Sequence, residues 1–233
     1  MATMPDHLSA LQLILSGDPA LLAIVRLSLG VSLAAVALAA IIGMPFGALL
    51  ALTQFPGRAV LIVVLNAMMG LPPVVVGLGL YLLLSRAGPL GAVGILFTPM
   101  AMVLAQTVLI VPIIAALTRQ TVEDLWSEYR DELRAMDVGA VSRMTTLLWD
   151  ARFSLLTALL AGFGRAAAEV GAVMIVGGNI DGFTRTMTTA VALETSKGNL
   201  PLAMGLGAVL LVIVLGINAA AWGTRVWSQR MTG

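Results

Sequence analysis

Residues 177–189 read Gly177-Gly178-Asn179-Ile180-Asp181-Gly182-Phe183-Thr184-Arg185-Thr186-Met187-Thr188-Thr189, a polar, glycine-rich break after a long apolar run. Four threonine hydroxyls, one guanidinium and several flexible backbone amides are the donors that suit an oxyanion. Gly177, Gly178, Asn179, Thr184, Arg185 and Thr186 are therefore the candidate residues of a gate or path. The same composition also fits an ordinary loop, whose threonines and glycines merely turn the chain. Just upstream, Arg165 and Glu169 stand four residues apart inside an apolar stretch, a spacing that puts two side chains on one helical face. Ionisable groups at such depth face a bundle interior or an aqueous path. The pair is either a structural ion pair or the border of a conduction pathway.

A third constellation is denser. Residues 119–152 carry Glu123, Asp124, Glu128, Arg130, Asp131, Glu132, Arg134, Asp137, Arg143 and Asp150, with Gly139-Ala140 at the centre, while the flanking chain is nearly free of charge. The pattern predicts two short helices joined by a tight turn at Gly139 and Ala140, with Glu132, Arg134, Met136 and Asp137 on the outer surface. A compact charged insert in an otherwise membrane-soluble chain suits docking on a soluble partner.

The elements that position these groups follow from composition. Of 233 residues, 59% are hydrophobic and 11% charged, and the mean hydropathy is +1.00. Soluble domains carry roughly 25% charged residues, so the chain belongs with integral membrane proteins. There is no cysteine and one histidine, His7, which excludes thiolate zinc sites, disulfides and histidine-based catalytic or metal clusters. No metal or cofactor is expected on this chain. The net charge of +1 gives no reason to expect a nucleic-acid partner, and none is expected.

Residues 1–20 have no basic leader and only a short apolar run, and read as an interfacial amphipathic segment rather than a cleaved signal. A single membrane domain, 21–233, follows. Five spans are predicted, at about 21–52, 59–84, 91–117, 153–176 and 200–222, each near the ~20 apolar residues a bilayer demands. Their continuous apolar runs exclude a β-barrel, leaving an all-α multi-span bundle. With the charged insert inside the cell, Arg58, Arg119, Arg130, Arg134, Arg143, Arg152, Arg225 and Arg230 are cytoplasmic; only Arg86, Arg185 and Lys197 are external. This basic bias predicts an external N-terminus and a cytoplasmic C-terminus. Gly43 and Gly47 have the spacing that lets helix backbones approach, as chance in glycine-rich helices also produces, and Gly205 and Gly207 on the last span invite the same two readings.

These residues carry a resemblance. Residues 119–152 resemble the cytoplasmic EAA loop of ABC importer permeases, a helix-turn-helix that inserts into a cleft of the ATPase subunit, although Glu132 stands one residue further from Gly139 than usual and Leu133 takes the usual glutamate position. Ala166-Ala167-Ala168-Glu169-Val170-Gly171-Ala172, Gly177-Gly178-Asn179 and Thr184-Arg185-Thr186 are similar to the matching stretch of molybdate, sulfate and tungstate permeases. The run from Glu169 to Asn179, with Thr188-Thr189-Ala190 and the stretch Leu193-Glu194-Thr195-Ser196-Lys197-Gly198, is most similar to the tungstate type. The resemblance implies a type I importer permease in the inner (plasma) membrane, embedded in lipid and paired with a second copy of itself. It also implies an ATP-binding subunit, which carries the ATP and magnesium and docks on Glu132, Arg134, Met136, Asp137, Gly139 and Ala140. An external substrate-binding protein would deliver the anion.

The sequence lacks the G-x-x-x-x-G-K-[ST] phosphate loop, and its single lysine, Lys197, is in another context. Energy must then come from a partner or an ion gradient. The alternative to an ATP-coupled permease is a secondary transporter or channel with Glu169 as a proton site, which has no need of a docking insert. A membrane enzyme is disfavoured by the missing nucleophile–base sets. Tungstate, molybdate and sulfate are all tetrahedral dianions, and no residue type separates them on physical grounds.

Overall fold

The computed structural model describes residues 19–232. The interfacial segment expected at residues 1–20, His7 included, lies outside the described residues apart from Pro19 and Ala20. The helices are α1 (Pro19–Leu52), α2 (Arg58–Met68), α3 (Pro73–Leu84), α4 (Pro99–Ala135), α5 (Ala140–Asp150), α6 (Arg152–Ala167), α7 (Gly171–Gly177), α8 (Met187–Ser196) and α9 (Leu200–Thr232), with one 3-10 turn at Gly91–Val93. Among the described residues there is no strand, as the continuous apolar runs require. α1, α4 and α9 are each long and apolar enough to cross a membrane, and two bent helix pairs raise the number to as many as five.

Three spans depart from the expected outline. The second is not continuous: α2 and α3 are bent by 100°. Pro72 precedes Pro73 and is held extended (φ −64°, ψ 122°), because a residue before proline is kept out of the helical region. The third begins at Pro99 rather than near residue 91, and it does not stop at 117. It runs unbroken through the charged residues to Ala135, so the insert is not built from two short helices. The fourth is broken at residues 168–170 between α6 and α7.

At 37 residues, α4 is ~55 Å long at 1.5 Å per residue. The first twenty residues fill a hydrocarbon layer of ~30 Å, and Arg119 follows at once. The remaining charged part stands beyond the bilayer as a stalk. α1 runs parallel to α4 and touches its backbone. A Cβ on Gly47 would sit 2.3 Å from the Ala115 carbonyl oxygen, and one on Gly43 3.2 Å from the Ala115 nitrogen. The small-residue spacing thus joins two helices within this chain, whereas Gly207 faces open space.

The main core is Val31, Ala35 and Ala39 of α1, Met102, Ile110 and Ile114 of α4, Phe163 of α6, and Val173 and Val176 of α7. A second cluster lies under the stalk: Ala48, Ala51, Val122 and Leu147 are buried with Trp126 and Tyr129 packed against them. It folds α5 back against α4. At the same level Glu123 accepts from both Arg58 and Arg119, while Arg58 Nε donates to the Leu50 carbonyl at 2.8 Å. One carboxylate therefore ties the end of α1, the start of α2 and the base of the stalk together.

Candidate functional site

The candidate path residues are brought together, but their donors are largely used by the fold. α7 is capped by Gly178, which is left-handed (φ 72°) and whose N–H donates to the Met174 carbonyl. A Cβ here would meet the Phe97 ring at 2.9 Å, and one on Gly177 would meet Met102 at 2.9 Å. Asn179 is also left-handed (φ 49°), and its Oδ1 is buried without a partner. Thr184 is fully buried; its hydroxyl donates to the Gly177 carbonyl at 2.6 Å and accepts from Ile180 N–H at 2.9 Å. Thr186 caps α8 in a reciprocal box with Thr189. The Thr188 hydroxyl donates to the Glu169 carbonyl at 2.8 Å. All four hydroxyls offered to an anion by the sequence therefore close backbone ends of this chain.

Arg185 is likewise engaged: its Nη1 donates to Asp181 at 2.8 Å, and its buried Nε is left without a partner. The carboxylate that neutralises this cation sits four residues before it, and sequence reasoning gave it no role. The break expected over residues 177–189 is also shorter than it looked, because α8 begins at Met187. The signal for that helix was present in Thr186 and Thr189, which occupy the N-cap and N3 positions of a capping box.

Arg165 and Glu169 do not share a helical face, since α6 ends at Ala167, yet they pair at 2.6 Å. Glu169 is 3% exposed, and its other oxygen accepts from the Ala172 N–H at 2.9 Å. Both oxygens are thus occupied at the helix break. Beside it a small, partly open and mainly apolar cavity of about 20 Å³, with Ser28, Ser32, Gln106, Thr186 and Thr188 in its wall, lies between α1, α4, α6, α8 and α9. Gln106 donates to the Ala166 carbonyl at 3.1 Å, while its buried Oε1 has no partner. A cavity of that size has room for about one water and not for an oxyanion.

The tip of the stalk contrasts with this buried interior. Glu132, Arg134, Met136, Asp137, Gly139 and Ala140 are all exposed, and Met136 and Val141 are each 73% exposed. The turn differs from the expected one: Asp137 takes the left-handed conformation (φ 50°), while Gly139 is ordinary extended backbone at φ −63°, ψ 157°. A Cβ on Gly139 would meet nothing within 4 Å, so nothing inside this chain calls for glycine there. Arg143 stacks over Trp126 at 4.8 Å and donates to the Val138 carbonyl at 3.0 Å, bracing the turn. A cleft of about 360 Å³ between α4 and α5 is walled by Tyr129, Glu132, Met136 and Asp150. Glu128, then burial, Asp150 and Glu132, push the Tyr129 phenol up from its ordinary value, as a negative surround does.

No protein-family model matches the chain. It is 44% identical to a probable anion ABC transporter permease protein of Haloferax volcanii over 85% of this chain and 88% of that one. It is 38% identical to the tungstate uptake system permease protein of Peptoclostridium acidaminophilum, over 92% and 94%. The corresponding protein of Campylobacter jejuni is 36% identical over 71% and 69%. Sulfate and molybdenum permeases match at 30% and 28%. With a membrane bundle, a projecting charged stalk and relatives of this similarity along most of their length, the chain belongs to the permease family of anion ABC transporters.

Proposed function

We propose that this chain is the transmembrane subunit of an ATP-driven importer of a tetrahedral oxyanion, tungstate in the first instance, with molybdate or sulfate as the alternative cargo. The observation that carries the coupling half of this reading is the tip of the stalk. Met136 and Val141 are exposed apolar groups outside the bilayer, set between Glu132, Arg134 and Asp137, and the acidic cleft beside them has room for a basic side chain. Such a surface fits the cleft of a soluble ATPase. The stalk is then cytoplasmic and the N-terminus external, which keeps eight of the basic residues inside. A second copy and an external binding protein complete the assembly, in the plasma membrane.

The tungstate assignment is supported by the names of two of the nearer relatives, against the lower identity of the sulfate and molybdenum permeases. A gradient-driven carrier is not favoured, because Glu169, its proton site, is committed to Arg165 and to Ala172. In the importer reading the residues of 177–189 form a gate that is closed in this conformation, with the threonine hydroxyls and one end of the Arg185 guanidinium engaged internally. ATPase closure below would redistribute the two states. The test is the purified complex with its binding protein, assayed for ATP hydrolysis stimulated by tungstate, molybdate and sulfate separately. Stimulation by tungstate at the lowest concentration is expected; indifference to all three anions would reject the reading.

A further inference from the structure

The bend between α5 and α6 carries a feature that docking and transport leave unused. There Arg152 lies against two aromatic rings, 5.1 Å from Trp149 and 4.6 Å from Phe153, and its Nη1 donates to the Trp149 carbonyl at 2.8 Å. Among the described residues it has no carboxylate partner, and it is exposed. A guanidinium has five N–H donors, so most of its fork is free. Trp149 is 69% exposed on the protein surface, where a tryptophan at a bilayer edge seats its ring among the headgroups.

From this cation a groove of about 560 Å³ runs up between α1 and α6, walled by Met44, Leu148, Leu155, Leu156 and Leu159. The helical rise from Arg152 to Leu159 is ~10 Å, about a third of a ~30 Å hydrocarbon layer. An apolar slot of that depth with a free cation and an indole at its mouth has the polarity of a phospholipid: phosphate outside, acyl chain inside. We infer that this groove is a binding site for one anionic glycerophospholipid, its phosphate on the Arg152 fork and an acyl chain along Leu155, Leu156 and Leu159. Net negative charge is selected because a zwitterionic headgroup would bring its own cation to the same mouth. The site lies at the joint between α5 and the bundle, where the returning arm of the stalk re-enters the membrane domain.

The experiment uses the intact permease in vesicles of phosphatidylcholine containing brominated phosphatidylglycerol or brominated phosphatidylcholine of the same acyl chains. Bromine quenches indole at close range, and the Trp149 component is the difference between wild type and Trp149→Phe. Quenching of that component is expected to favour the phosphatidylglycerol by about fivefold in apparent affinity, the effect of one basic contact near a membrane surface. Arg152→Gln should abolish the preference and Arg152→Lys should keep part of it. Should Arg152→Gln not fold, the wild-type comparison of the two lipids decides alone. Equal quenching by both lipids, a preference that survives in Arg152→Gln, or displacement by excess inorganic phosphate would each overturn the assignment. So would a Trp149 component that neither lipid reaches, which would mean that a second copy covers the groove.

Discussion

Arg165 and Glu169 are joined at 2.6 Å at the gap where α6 ends and α7 begins, and the same carboxylate accepts from Ala172, one of the free N–H groups in the first turn of α7. The ion pair is therefore a splice in a broken helix. A glutamate left without its cation, or an N-terminus without its acceptor, is costly at this burial. Glu169→Leu should destabilise the permease by about 2–4 kcal/mol, discounted for the partial exposure of Arg165. Glu169→Gln, which keeps an acceptor for Ala172, should lose about half as much. Unfolding in detergent measures both; equal losses would mean that the cap contributes nothing.

At Gly139 the proposed docking role can be tested apart from folding. Its backbone is permitted to any residue and its Cβ direction is open, so Gly139→Leu should change stability by no more than about 0.5 kcal/mol. Co-purification of the ATPase should nevertheless fall severely. A mutant that unfolds, or one that retains the ATPase at wild-type levels, contradicts the expectation.

Gly47 offers the opposite case. A methyl group there would press on the Ala115 carbonyl at 2.3 Å, forcing α1 and α4 apart. Gly47→Ala should cost about 1–3 kcal/mol, the range for overpacking, and Gly207→Ala, facing open space, should be silent. Melting temperatures of the two variants compare them directly.

The pairing of Arg185 with Asp181 gives the path reading two mutations of opposite sign. If residues 177–189 meet the anion, Arg185→Ala lowers initial uptake and Asp181→Asn raises apparent affinity by freeing the guanidinium, by roughly tenfold or less for one exposed pair. Uptake assays with confirmed assembly read both. Wild-type behaviour in both variants would leave the segment as an external loop.

Much of this architecture was legible in composition and in Pro, Gly and charge placement: the all-α bundle, the spans up to five in number, the insert and its exposed tip. What escaped had a physical cause in each instance. Hydropathy averages over a window and does not see that Pro72 before Pro73 turns a span by 100°, nor that α4 continues past its last apolar residue. The threonines of 184–189 were read by their donors, but in a low-dielectric bundle those donors are taken first by orphaned backbone groups. Glu123 was seen only as one charge among many. Its partner Arg58 is 65 residues away, beyond any local pattern.

The continuity of α4 has a mechanical consequence. Between Pro99 and Ala135 it is one helix with a single proline, Pro112, inside it, and α1 presses on it at that same level, near Val111 and Ala115, through Gly43 and Gly47, which makes that contact a fulcrum. On a rod of ~55 Å, a tilt of about 5° separates the displacements of its two ends by ~5 Å. A push received beside Met136 would thus return with reversed direction near Phe97 and Met102, the side chains that rest on Gly178 and Gly177. Engine and gate would share one lever arm, and softening it anywhere along its length would leave ATP hydrolysis running without cargo moving.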